Sequence, residues 1–92
     1  MNVEIRLFAT FREAVGRKTL EREFPDDASI DTLLSALEEE FPDLEGSFVE
    51  DGEIVPQVNV LKNGREVPHL EGLETPIADG DTIAIFPPVA GG

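Results

Sequence analysis

Twelve residues held between a serine and a proline constrain this chain more than any other feature. From Ile30 to Phe41, the apolar residues Ile30, Leu33, Leu34, Leu37 and Phe41 recur at three- and four-residue spacing. That spacing gathers them into one stripe on one side of a helix. Ser29 stands where an N-cap belongs, and Asp31 lies in the first turn, where negative charge complements the helix dipole. Pro42 ends the run. A helix with a single stripe must bury it against a partner layer, and the rest of this 92-residue chain offers strands.

Val3-Glu4-Ile5-Arg6-Leu7-Phe8-Ala9 alternates apolar and polar residues. This is the period of a half-buried strand, with Val3, Ile5 and Leu7 on one face and Glu4, Arg6 and Phe8 on the other. Thr10 to Val15 reads as a short helical turn with Thr10 as N-cap and Gly16 as its left-handed stop. Thr19 to Phe24 alternates again, with Leu20 and Phe24 on one face, until Pro25-Asp26-Asp27 breaks it. Asp43 to Pro56 carries five acids, two glycines and little pattern, and is expected to be a solvated loop. Val58 to Leu61 is a short strand, and Asn63-Gly64 is a hairpin turn that returns it as Arg65-Glu66-Val67, an edge strand guarded by Pro68. Asp79-Gly80-Asp81 marks another turn. The last strand is Thr82 to Phe86, with Ile83 and Ile85 on one face and Thr82, Ala84 and Phe86 on the other.

The order hairpin, helix, strands predicts an α+β domain of β-grasp type: a mixed sheet with one main helix packed across it and the first and last strands parallel at its centre. The expected division is a β-grasp domain over residues 1–86 and a flexible C-terminal tail over 87–92. A chain of this length has room for one core.

Composition excludes several classes of function. The chain has no cysteine, which removes disulfides, thiolate metal sites and cysteine nucleophiles and fits a reducing cytoplasm. A basic region followed by an apolar stretch is missing from the N-terminus, and no apolar run approaches the ~18–20 residues that span a bilayer. A cytoplasmic protein without signal peptide or membrane contact is therefore expected. The net charge of −13 disfavours nucleic acid and anionic membranes and favours basic protein surfaces as partners. Acid excess with only two lysines, Lys18 and Lys62, resembles proteins of salt-loving cytoplasms. At ~1 M salt the Debye length is about 3 Å, so the self-repulsion is screened. A halophilic source is expected. The single histidine, His69, stands in a loop with no partner for catalysis or metal binding, and the acids lack EF-hand spacing, so no metal site, catalytic residue or bound cofactor is expected.

Past Ile85 the chain runs Phe86-Pro87-Pro88-Val89-Ala90-Gly91-Gly92. Two prolines favour an extended path that carries the chain away from the sheet as an arm. Two glycines without side chains let a partner's narrow channel grip the backbone. The terminal carboxylate is ionised near neutrality, its reference pKa being about 3.3–3.7, and can attack the α-phosphate of ATP when a partner supplies magnesium and cationic groups. Since the sequence ends on Gly92, no processing protease is expected. A frayed terminus that happens to end in glycine is the plain alternative. The Pro-Pro spacer launched directly from a strand argues against it.

Leu7-Phe8-Ala9, Arg12-Glu13, Gly16, the helix, Asp79-Gly80-Asp81 and the stretch from Ile85 to Gly92 together resemble the small subunit of molybdopterin synthase. They equally resemble the ubiquitin-like small archaeal modifiers of the same MoaD/ThiS sulfur-carrier superfamily. The resemblance covers nearly the whole chain, leaving the acidic stretch from Asp43 to Pro56 unanchored. It implies a carrier and modifier, not an enzyme, monomeric when free. An E1-like activating enzyme would use ATP to adenylate Gly92. The product would then become a thiocarboxylate that donates sulfur in molybdenum cofactor biosynthesis, inside the large subunit of molybdopterin synthase. Alternatively it would be joined through an isopeptide bond to lysine residues of target proteins. Gly91 and Gly92 are the site of this chemistry.

Strand parity places Phe8 and Phe86 together on the outer sheet face, and the resemblance implies that they dock the partner with Pro87, Pro88 and Val89. Packing of Phe8 beneath the Thr10–Val15 turn is the alternative. Arg6 and Arg12 read as solvated surface or rim charges, and Lys18 and Lys62 as acceptors should the modifier form chains. Two further functional readings stay open: a dedicated synthase subunit without conjugation, and a β-grasp adaptor that uses no tail chemistry.

Overall fold

The helix stripe finds its partner in a five-stranded sheet. The computed structural model describes residues 1–88. In chain order its elements are β1 (Asn2–Leu7), α1 (Ala9–Val15), β2 (Thr19–Glu23), α2 (Ile30–Glu40), β3 (Val49–Glu50), β4 (Glu53–Ile54), β5 (Asn59–Lys62), β6 (Arg65–Glu66) and β7 (Thr82–Phe86). The main sheet runs β2-β1-β7-β5-β6, with β3 and β4 forming a separate two-stranded ribbon. β1 and β7 are parallel, with Ile5 opposite Ile83 and Leu7 opposite Ile85, and the remaining pairs are antiparallel. The first and last strands thus lie side by side at the middle of the sheet.

The core lies in one layer between sheet and helix. Val3, Ile5 and Leu7 of β1, Leu20 of β2, Val60 of β5 and Ile83 and Ile85 of β7 are buried against Ile30, Leu33, Leu34 and Leu37 of α2. Burying each such side chain stabilises the fold by roughly 1.5–3 kcal/mol relative to exposure. α2 starts where the sequence predicts. Its Ser29 hydroxyl accepts from the Thr32 N–H at 3.4 Å, and the Thr32 hydroxyl accepts from the Ser29 N–H at 3.1 Å, a reciprocal cap. Phe41 closes the helix as its C-cap rather than its last residue.

Several boundaries shift, each for a local reason. Thr10 is not the cap of α1. The strand runs straight into the helix through extended Phe8, whose carbonyl accepts from the Phe11 and Arg12 N–H groups, while no side chain caps the turn. Gly16, at φ +82°, does supply the left-handed stop. β2 ends at Glu23, though Phe24 stays buried and donates its N–H to the Met1 carbonyl at 2.8 Å. Val58 belongs to a turn preceding β5, with its N–H on the Val55 carbonyl. Val67 leaves the edge strand to begin a 3₁₀ turn, Val67–His69, of which it is the buried residue.

The largest correction concerns Asp43 to Pro56, expected to be solvated loop. Pro42–Leu44 forms a 3₁₀ turn and Val49–Glu50 pairs with Glu53–Ile54, with Asp51 at φ +53° and Gly52 at φ +77° between them. Leu44 and Phe48 are fully buried, and Phe48 meets Phe11 edge-on with ring centroids 4.9 Å apart. Glu38 of α2 ties the segment down. One of its carboxylate oxygens accepts from the Phe48 and Val49 N–H groups at 2.9 and 3.0 Å, and the other from Gly46 at 3.2 Å.

Candidate docking site at the root of the C-terminal arm

Parallel pairing of β1 with β7 decides what stands at the tail's root. Because Leu7 faces Ile85 across the ladder, the next residues on each strand, Phe8 and Phe86, fall side by side on the opposite face. Their rings stack with centroids 4.1 Å apart and planes 10° from parallel. Both are half-buried, so each gives one ring face to the other and keeps part of its surface open to solvent. Phe8 does not pack beneath α1. That place is taken by Phe11, which α1 turns inward against Phe48. Phe8 is further held as the residue on which α1 begins, followed by Ala9 in the left-handed region at φ +51°.

The aromatic pair does not stand alone. On the same outer face Arg6, Ala84 and Leu61 line up across β1, β7 and β5, with Phe86 beside Asn59 in the next row. Leu61 also lines a shallow groove with Leu70, the large hydrophobic residue most open to solvent, at 38% exposure. Sequence reading did not single out Leu61 or Leu70. The signal for Leu61 was present, since an inward Val60 forces its neighbour outward and an apolar residue then stands on a wet face. Leu70 had no such signal, because it follows the 3₁₀ turn Val67–His69 and has no strand parity. Exposed apolar residues rimmed by polar ones mark interaction surfaces.

Two polar devices hold this face in register. Asp81 at the foot of β7 is buried, and its carboxylate accepts from the Ala78 N–H at 2.7 Å and the Asn63 side-chain amide at 2.9 Å. The Asn63 carbonyl oxygen in turn accepts from the Thr82 N–H. The expected Asn63-Gly64 turn is present, with φ of +50° and +84°. Asp79 accepts from the Asn2 N–H at 2.7 Å, tying the turn Asp79-Gly80-Asp81 to β1.

The other candidate residues are dispersed. Lys62 is not a free surface lysine: its ammonium donates to the Pro76 carbonyl at 2.7 Å and lies 3.6 Å from Asp81. Lys18 is exposed. Arg6 is exposed and paired with Glu4 at 3.0 Å, Arg12 is exposed, and His69 is 79% exposed, 3.2 Å from Glu66. Pro87 is half-buried and Pro88 exposed, so the arm begins at the edge of the aromatic patch. Val89, Gly91 and Gly92 lie outside the described residues. Among those described, no cluster of three or more His, Cys, Asp or Glu is placed to hold a metal ion, and no helix is long and apolar enough to cross a membrane.

Comparison with known proteins places the chain. The family model described as the ThiS family matches residues 5–92. The chain belongs to the ThiS family. Small archaeal modifier protein 3 of Haloferax volcanii is 54% identical over 92 residues, covering all of both chains. A putative sulfur carrier protein of Archaeoglobus fulgidus is 48% identical over 50 residues, 54% of this chain and 57% of that one. Among solved structures, the crystal structure of SAMP1 from Haloferax volcanii superposes with a TM-score of 0.85 at 38% identity, with full coverage of both chains. The fold is the ubiquitin-like β-grasp. These relatives are modifiers and carriers rather than catalysts, in keeping with the carrier reading of the sequence.

Proposed function

We propose that this protein is a ubiquitin-like modifier and sulfur carrier acting through the carboxylate of Gly92. An E1-like enzyme binds the outer sheet face and threads the arm into its ATP site. A carboxylate oxygen attacks the α-phosphorus of ATP, pyrophosphate leaves, and the chain end becomes an acyl-adenylate. From there two outcomes share one intermediate. Hydrosulfide delivered by a partner forms a C–S bond as the C–O bond to AMP breaks, AMP leaves and the sulfur loses its proton, giving a thiocarboxylate for dithiolene synthesis in the large subunit of molybdopterin synthase. Alternatively a target lysine amine forms an isopeptide bond as the activating group departs. The protein contributes the arm, its rigid Pro87-Pro88 root and the docking residues Phe8 and Phe86; ATP and the catalytic groups belong to the partner. We place this work in a salt-rich cytoplasm, where a charge of −13 is screened.

The observation that carries the reading is the Phe8–Phe86 stack at the point where the arm leaves β7. It puts an apolar anchor at the start of the segment that carries the carboxylate in sequence, so one partner can engage both.

Mass spectrometry of protein purified from its native cell tests the proposal. Conversion of carboxylate to thiocarboxylate adds about 16 Da to the intact mass. Conjugation appears as branched peptides. Since no Lys or Arg follows Arg65, trypsin leaves residues 66–92 on the acceptor lysine, and that remnant is the mark to seek. Thiocarboxylate without branched peptides identifies a dedicated sulfur carrier. If neither species forms and removal of Gly91-Gly92 leaves the cell unchanged, the chain is an adaptor and the proposal fails.

A further inference from the structure

A second groove lies away from the outer sheet face, between the β3–β4 ribbon and the 3₁₀ turn Gly72–Glu74. It is an open groove of about 470 Å³ lined by Ile54, Leu73 and Pro68, with Glu53, Glu71 and Glu74 among its walls. Ile54 and Leu73 are half-buried, each packing partly on the core and leaving part of its side chain in the groove. The three carboxylates are exposed and take part in no ion pair or side-chain hydrogen bond among the described residues. By contrast, Glu38, Glu40 and Asp81 elsewhere are each engaged.

The charged residues that line this groove, Glu53, Glu71 and Glu74, have one sign. Between Arg22 and Lys62 the chain has no basic residue while carrying twelve of its twenty acids, and the ribbon with its Glu50 and Asp51 belongs to that stretch. Five of the seven bases precede Glu23, and the other two, Lys62 and Arg65, stand on β5 and β6. The molecule therefore has an apolar face on the outer sheet and a second groove with an aliphatic floor whose charged lining residues are all carboxylates.

We propose that this groove is a second docking site, which takes a basic segment of a partner protein carrying one apolar anchor residue. The anchor occupies the floor formed by Ile54 and Leu73, and flanking Lys or Arg side chains meet Glu53, Glu71 and Glu74. Both parts are required. At ~1 M salt the Debye length is about 3 Å, so long-range attraction is lost and only contact pairs seated on an apolar floor discriminate among basic segments. Phe8 and Phe86 are not among its lining residues, so a partner held here can accompany the protein while its tail is being activated.

The test is a titration of ¹⁵N-labelled protein, in about 1 M KCl, with a short blocked peptide in which leucine is flanked by arginines and lysines. A second peptide has glycine in place of the leucine. The expected result is amide shifts confined to Gly52, Glu53, Ile54 and Gly72–Glu74, with about tenfold weaker binding of the glycine peptide. Glu71→Gln with Glu74→Gln should weaken the leucine peptide by a similar factor, and these exposed positions leave the fold unchanged. Leu73→Ser adds an apolar test, its folding checked by the same spectra. Phe8→Ala should not alter this binding, which separates the outcome from the fate of the proposed tail chemistry. The proposal is overturned by an absence of shifts, by shifts spread equally over Asp31 and Glu39 of α2, or by equal binding of both peptides.

Discussion

β1 with β7, and the segment from Pro42 to Pro56, are built on opposite plans. The two strands announce themselves through alternation: Val3, Ile5 and Leu7 on one, Ile83 and Ile85 on the other, all buried. The acidic segment has no period at all, yet it contributes Leu44 and Phe48, which are just as buried. In the strands, order comes from a repeating backbone ladder that makes every second side chain equivalent. In the segment it comes from two isolated anchors and from Glu38, which collects three backbone N–H groups that would otherwise have no partner. A run of acids therefore need not be a wet loop when a few spaced apolar residues can reach the core between them.

The sharpest way to break this comparison is to cut the anchor. Phe48→Ala should destabilise the protein by about 3–5 kcal/mol, comparable with the roughly 2–5 kcal/mol expected for Ile85→Ala in the central strand. For a domain whose whole stability is of order 5–15 kcal/mol, either change is severe. Urea unfolding measures both, and a Phe48→Ala cost below about 1 kcal/mol would return the segment to the status of loop.

Glu38→Ala comes next, at about 1–3 kcal/mol, because it strands N–H groups that accept no replacement from the core. Its effect should be local. Hydrogen exchange at Phe48 and Val49 should quicken while Ile5 and Ile83 keep their protection. Uniform acceleration across both regions would mean that the segment and the sheet open together.

The same contrast explains what was legible in the sequence. The helix, its serine cap, the parallel central strands, the Asn63-Gly64 turn and the meeting of Phe8 with Phe86 all follow from period, parity or turn chemistry. The β3–β4 ribbon turns on Asp51-Gly52, a dipeptide of the same kind as Asn63-Gly64. It escaped notice because Glu50 and Glu53 beside it show no alternation. Glu38 was illegible for a deeper reason, since nothing local distinguishes it from its neighbours Glu39 and Glu40. The outer face proposed for docking was half legible: parity finds Phe8, Phe86, Ala84 and Leu61, but Leu70 arrives there from a turn.

The Phe8–Phe86 pair extends the comparison to a face that the core does not use. A double-mutant cycle with Phe8→Ala and Phe86→Ala should give a coupling of about 0.5–1.5 kcal/mol, the range for stacked aromatic pairs. Either single change should weaken adenylation by the activating enzyme more than it weakens the fold, seen as a raised KM at near-normal Tm. If KM stays fixed while Tm falls, the pair is satellite core and not a docking anchor.

The smallest effect belongs to the one ion pair that links the sheet edge to the helix end. Arg22 of β2 donates to both carboxylate oxygens of Glu40, Nε to Oε1 at 2.9 Å and Nη2 to Oε2. An acid in the last turn of a helix opposes the dipole, and α2 has no base of its own there, so Arg22 supplies the missing cation from another element. The hydrogen bond from Arg22 holds the Glu40 carboxyl below the usual carboxylate range, and the same bond raises Arg22. Because the folded pKa of Glu40 lies below its unfolded value, the pair contributes fully above the ordinary glutamate pKa of about 4.3. That contribution is lost as pH falls through the folded value. Both side chains are more than one third open to water, Arg22 at 34% and Glu40 at 39%, so solvent screening limits the coupling to about 0–1 kcal/mol. Since removing one acid from so negative a chain also relieves repulsion, only the cycle of Arg22→Gln and Glu40→Gln isolates the pair. Its coupling should be measurable at neutral pH and low salt, shrink towards zero on acidification past the folded pKa, and shrink again in molar KCl. A coupling unchanged by acid would mean that the two side chains pack against each other without an ionic contribution.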